Sequence, residues 1–170
     1  MILFFAMSCS RETTTVATTP STTSSAPFQF GRGIQIPNPA GIHEAYSLQK
    51  TARGFWLFQI NVSAPHISTV FKRLIAEVPT PGYLIIETPT IESEEVKLRK
   101  TPADPFHKDV FYWNGISTEQ ALTSFTNYEE ILVNDGGVNI GFGSHSGIDE
   151  VFIGAYKIFE VYANNPEKFQ

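Results

Sequence analysis

The chain has 170 residues, 42% of them hydrophobic and 13% aromatic, with 17 acidic against 12 basic side chains for a net charge of −5. That balance argues against a nucleic-acid partner, whose phosphates demand a cationic surface. A single cysteine excludes an intramolecular disulfide framework, while 14 Phe, 6 Tyr and 2 Trp can fill a core without disulfides or metal.

The first residues are a short apolar run, Ile2-Leu3-Phe4-Phe5-Ala6-Met7-Ser8, ending at Cys9. The run is too short for a membrane-spanning helix, which needs about 20 apolar residues. Eleven of the eighteen residues from Ser10 to Pro27 are Ser or Thr. Such a stretch buries too little apolar surface to offset its ordering entropy and is predicted to be a disordered tether.

This order of segments resembles the export signal of a bacterial lipoprotein, with Ser8 before the cysteine as the small residue of a cleavage site. Ala6 stands where such boxes usually carry Leu, and no Lys or Arg precedes Cys9, so the front of the signal is expected upstream. The resemblance covers residues 1–27 only. It implies a signal-like segment at 1–8 and lipidation of Cys9, with residues 9–27 serving as anchor and leash. It also implies a location in the bacterial cell envelope, facing periplasm or exterior, and a membrane as partner through the lipid. Bacterial lipoproteins carry several acyl chains on that cysteine, enough for stable anchoring.

Residues 28–170 have the size of one domain. Arg11 and Glu12 cancel, so this part keeps the net charge of −5, unevenly spread. Residues 28–108 hold nine basic and seven acidic side chains; residues 109–170 hold only Lys157 and Lys168 against nine acids. The acidic half suits a basic protein partner or a divalent cation, or simply solubility.

In chain order, Gly33-Ile34-Gln35-Ile36 is a short candidate strand. Gly54 to Asn61 is another, aromatic and apolar on both faces and therefore expected to be central. Ile67, Val70, Phe71, Leu74, Ile75 and Val78 form one helical stripe, with Ser63 as cap, Pro65 in the first turn, and Pro79 and Pro81 as stops. Tyr83 to Thr88 reads as a buried strand. Residues 90–108 are charged and carry a strand or a short helical turn, then a loop. Val110 to Trp113 is a strand and Asn114-Gly115 a turn. Ser117-Thr118-Glu119-Gln120 is a capping box that opens a helix to about Thr126. Ile131-Leu132-Val133 and Val138 to Phe142 read as a hairpin around Asn134-Asp135-Gly136-Gly137. Glu150 to Ile153 and Tyr156 to Tyr162 are further strands. Asn165-Pro166 is a helix start, expected as a frayed turn or a helix cut short. The order predicts an α+β two-layer domain, a mostly antiparallel sheet with two helices on one face, compatible with a ferredoxin-like split arrangement.

Motifs of chemistry are sparse. Gly141-Phe142-Gly143-Ser144-His145-Ser146-Gly147 is glycine-rich, but it leads into a strand and lacks Gly-Lys-Ser/Thr, so hairpin glycines explain it better than a phosphate loop. His43, His66, His107 and His145 are scattered without zinc spacing, and Asn134-Asp135-Gly136 lacks the further ligands of a calcium loop. No cofactor or metal is implied. No Gly-x-Ser-x-Gly elbow is present, and the sequon Asn61-Val62-Ser63 is read as a helix cap. The weak catalytic candidates are His145 with Asp149 and Glu150, and His107 with Asp109. The expected function is therefore a lipid-anchored, non-catalytic binding module of the envelope, with a protein partner at the acidic half. The alternatives are an immunity-type protein that neutralises a basic toxin, and a hydrolase built on a His/carboxylate pair.

Overall fold

The computed structural model describes residues 27–170; Cys9, the signal-like segment and nearly all of the Ser/Thr-rich stretch lie outside them. One seven-stranded sheet carries the domain. In chain order its elements are β1 (Ala45–Lys50), β2 (Trp56–Asn61), α1 (Ala64–Ala76), β3 (Gly82–Pro89), α2 (Glu92–Leu98), β4 (Lys108–Ile116), α3 (Thr118–Asn127), α4 (Glu129–Asn134), β5 (Asn139–Ser144), β6 (Glu150–Ile153) and β7 (Phe159–Ala163). The spatial order is β1-β2-β7-β6-β5-β3-β4, and every pairing is antiparallel. The α+β class holds. The strand order is not the ferredoxin-like one, because β7, β6 and β5 all lie between β2 and β3.

Alternation assigns the two faces of the sheet. Phe58, Phe159, Val161, Val151, Ile153, Ile140, Phe142 and Leu84 point into one core with Ile67, Phe71, Leu74 and Ile75 of α1 and Ala121 and Phe125 of α3. Each fully buried side chain of this size is worth roughly 1.5–3 kcal/mol of transfer free energy. The opposite face carries no helix of this core. There Phe152 lies over Gly141 and Tyr83 over Gly143, so the missing side chains of β5 make room for the rings of its neighbours.

Several boundaries differ from expectation for identifiable reasons. The Gly33–Ile36 segment forms no strand; only Arg32 bridges to Asp135. β1 is a strand beyond those expected from the sequence; its alternation (Tyr46 and Leu48 against Ser47 and Gln49) is the period-two signal of a half-buried strand. β2 is one strand in from the edge rather than central. Asn114-Gly115 is no turn: Gly115, at φ +73°, is the extra residue of a bulge opposite Gly82 and Tyr83. Ser63 precedes α1, but its Oγ accepts from the Gln29 N–H at 2.9 Å and makes no cap bond to the helix.

The larger correction is Ile131-Leu132-Val133, which is helical, in α4, rather than the first strand of a hairpin. Glu129 and Glu130 occupy its first turn, where the helix dipole favours acids, and Leu132 and Val133 bury side by side in the core. Tyr156 and Lys157 belong to a 3-10 turn before β7. The capping box is present as read: Ser117 Oγ accepts from the Gln120 N–H at 3.2 Å, and Gln120 Oε1 accepts from the Ser117 N–H at 2.9 Å. The last turn, Pro166–Phe169, is a capped 3-10 helix that buries Phe169 against Phe58.

Candidate interaction surface and histidine pocket

β4 ends the sheet and pairs with β3 alone. From Val110 to Ile116 it carries no charged side chain. Register places Phe111 opposite Ile86 and Trp113 opposite Leu84, on the helix side; Val110 faces Glu87 and Tyr112 faces Ile85, on the open side. Phe111, Tyr112 and Trp113 are 58%, 61% and 46% exposed. On the helix side a cleft of about 240 Å³ separates β3 and β4 from α3 and α4; Leu84, Ile86, Phe111, Trp113, Phe125 and Tyr128 are among its walls. Of the thirteen large hydrophobic side chains exposed among the described residues, four lie on β4 (Val110, Phe111, Tyr112 and Trp113), and a fifth, Tyr128, lines the cleft beside it. Natural edge strands are usually blunted by charge, bulges, proline or shortness; β4 has nine residues, and its charges, Lys108 and Asp109, and its bulge, at Gly115, lie at its two ends, leaving Val110 to Asn114 regular and uncharged.

A second concavity of about 580 Å³ lies where Gly33, Pro89, His107, Lys108, Gly137 and Tyr156 meet. His107 is paired there, though not with Asp109. Glu95 of α2, buried in the fold, accepts the His107 backbone N–H at 3.1 Å and lies 3.2 Å from its Nδ1. Asp109 instead accepts from the Thr90 hydroxyl at 3.0 Å. With the Glu95 carboxylate holding Nδ1–H, Nε2 is the ring nitrogen left for other partners, an arrangement that orients a base.

The other cluster does not converge. His145 sits in an exposed turn, donates its backbone N–H to Pro81, and packs its ring 5.4 Å from that of Tyr83. Asp149 is buried and accepts from Lys168 Nζ at 2.7 Å and from the Asn164 N–H at 3.1 Å. Glu150 accepts from the Tyr83 hydroxyl at 2.5 Å, and burial together with that carboxylate holds the phenol well above its ordinary range. Among the described residues no hydrogen bond or ion pair joins His145 to either acid. The three are neighbours in sequence; His145 and Glu150 each meet Tyr83 of β3, while Asp149 is held by Asn164 and Lys168.

No motif in the sequence marks Lys157. It is 2% exposed, and its Nζ donates to Leu132 O at 2.8 Å and Val138 O at 2.5 Å. Burial pushes its pKa down to about 8, with the Asp135 charge pulling the other way. It enters this position through two successive left-handed residues, Tyr156 at φ 59° and Lys157 at φ 60°. The acidic half is also partly answered from within the domain: Glu129 meets Lys72 at 2.6 Å and Glu130 meets Arg32 at 2.8 Å.

Among the described residues no helix is long and apolar enough to cross a membrane, and no three His, Cys, Asp or Glu side chains gather as a metal site. No family model, curated protein or solved structure matches this chain.

Proposed function

We propose that the chain is a lipid-anchored protein of the bacterial cell envelope whose domain is a non-catalytic interaction module, contacting protein along β4 and the cleft beside it. The observation that carries this reading is the concentration of exposed aromatic and aliphatic side chains on and around that edge, since contiguous apolar surface on a folded domain marks a contact site. Lipid on Cys9 supplies the address and the tether supplies reach. A photo-crosslinking residue in place of Tyr112, activated in intact cells, is expected to give a discrete protein adduct, and the same residue in place of Gln49 on β1 is not. Cys9→Ala is expected to release the protein from the membrane fraction. An unmoved membrane fraction overturns the anchor, and an absence of adducts at 112 overturns the module.

The immunity-type alternative draws on the acidic half, where Glu129 and Glu130 already face Lys72 and Arg32. The hydrolase alternative has one specific observation in its favour, the His107–Glu95 pair in the 580 Å³ pocket. On that reading Nε2 of His107 is the general base and Glu95 the positioning residue. A panel of activated esters and phosphoesters tests it. Turnover that falls at least about 100-fold with His107→Ala supports the hydrolase; no turnover by the wild-type protein rejects it for those substrate classes.

A further inference from the structure

We propose that the occupant of the β4 edge is a second copy of this chain, joined two-fold and antiparallel about Tyr112 so that two seven-stranded sheets become one. This rests on the reading of β4 as a contact surface and names its partner.

The first support is self-complementarity. Opposite residues in an antiparallel pair share a face. Centring the pair on Tyr112 sets Phe111 against Trp113 of the other copy, twice, on the cleft side of the sheet. On the open side it sets Val110 against Asn114 and Tyr112 against itself. Aromatic cross-strand pairs are among the favourable ones. Moving the centre to Phe111 would put Asp109 opposite an indole. Moving it to Trp113 would put Phe111 opposite Gly115, the bulged residue. The Tyr112 register alone among these three keeps every ring against a ring.

The second support is charge. Two copies of a chain with net charge −5 repel one another over most approaches. β4 is uncharged from Val110 to Ile116, so no like charges face each other in this ladder. The other edge, β1, offers six residues and ends in Lys50; it lacks the run of rings.

The third support is area. At about 150–250 Å² per aromatic residue, exposures of 58%, 61% and 46% leave about 250–400 Å² of residue surface on each copy, or about 500–800 Å² for two. A specific interface needs about 1,000 Å². The exposed Val110 and Tyr128 beside these residues extend the patch toward that figure.

The test uses the full chain with Cys9→Ala, which removes the only thiol and with it the lipid. Sedimentation equilibrium is expected to show a monomer–dimer equilibrium, shifted to monomer by Tyr112→Lys and unaffected by Gln49→Lys, with circular dichroism confirming that both variants fold. Register is read by oxidative crosslinking in the same background. Tyr112→Cys is expected to yield a disulfide-linked dimer. Asn114→Cys is not, because its own copy would stand four residues away, about 13 Å, beyond the reach of a disulfide. A protein that stays monomeric up to about 1 mM, or a dimer that survives Tyr112→Lys, overturns the inference. If the protein is monomeric yet a probe at 112 captures a different protein in cells, the inference falls while the interaction module stands. If it is monomeric and nothing is captured, both fall.

Discussion

Tyr83 and Glu150 meet across the backbone of Gly143. The three residues are in register on β3, β5 and β6, and the Tyr83 hydroxyl donates to Glu150 Oε2 at 2.5 Å above the glycine. A Cβ at 143 would run into the tyrosine ring. The open face of the sheet thus depends on an absent side chain in its middle.

Gly143→Ala is expected to displace the Tyr83 ring, break its bond to Glu150 and cost about 1–3 kcal/mol. Gly147→Ala, where the nearest neighbour of a new Cβ is the Asn164 amide at 3.6 Å, should change stability by less than about 0.5 kcal/mol. Urea denaturation of the two variants distinguishes a packing requirement from a general intolerance of change around β5.

Phe71 and Phe125 pack with ring centroids 4.6 Å apart and planes tilted by 40°, both fully buried. Phe125→Ala should cost about 3–5 kcal/mol. Phe111→Ala, at an exposed ring of β4, should cost less than about 1 kcal/mol in dilute solution. If the β4 rings proved as costly to remove as Phe125, they would belong to the core of the monomer and not to a contact surface.

The buried Lys157 makes a pH prediction. Its folded pKa, about 8, lies below the unfolded value of about 10.4. Between those values the unfolded chain holds a proton that the folded chain has released, so stability rises with pH across that window. Relative to Lys157→Met, the wild type should gain about 2 kcal/mol between pH 7 and about pH 9.5. Near pH 7 the variant should be less stable than wild type by about 1–3 kcal/mol, because Leu132 O and Val138 O lose their donor. Equal pH slopes for the two proteins would show that Lys157 titrates normally.

At the acid end, the hydrogen bond from Lys72 holds the Glu129 carboxyl below its usual range. The resulting stability is present above the unfolded pKa of about 4.3 and is lost as pH falls through the lower folded value. Both side chains are about a third exposed, so solvent screening keeps the effect under about 1 kcal/mol. Lys72→Met should flatten this part of the acid unfolding curve, measured at low salt.

Local signals carried well where the element is made of its own residues. The stripe from Ile67 to Val78 closes on the core as read, and the Ser117–Gln120 box opens α3 as read. They failed where a distant residue decides. Ile131-Leu132-Val133 has strand propensity and sits beside an Asp-Gly turn signal, yet the Leu132 carbonyl in the last turn of α4 is satisfied by a lysine 25 residues away. Nothing local announces that donor. His107 similarly takes its carboxylate from α2, twelve residues back, rather than from Asp109 two residues on.

The candidate surface was half legible. Val110 to Trp113 reads as an aromatic strand from composition alone, but an aromatic strand is ordinarily a buried one, and only strand order shows that β4 is the last in its sheet. Periodicity and capping act over a few residues, so the α+β class, the apolar stripe of α1, the capping box of α3 and the kinds of side chain available for a core are legible in the chain itself. The tertiary structure decided which strand is left at the edge, which carboxylate faces His107 and where Lys157 is buried. Those are pairings across the chain, and no local preference encodes which distant partner arrives.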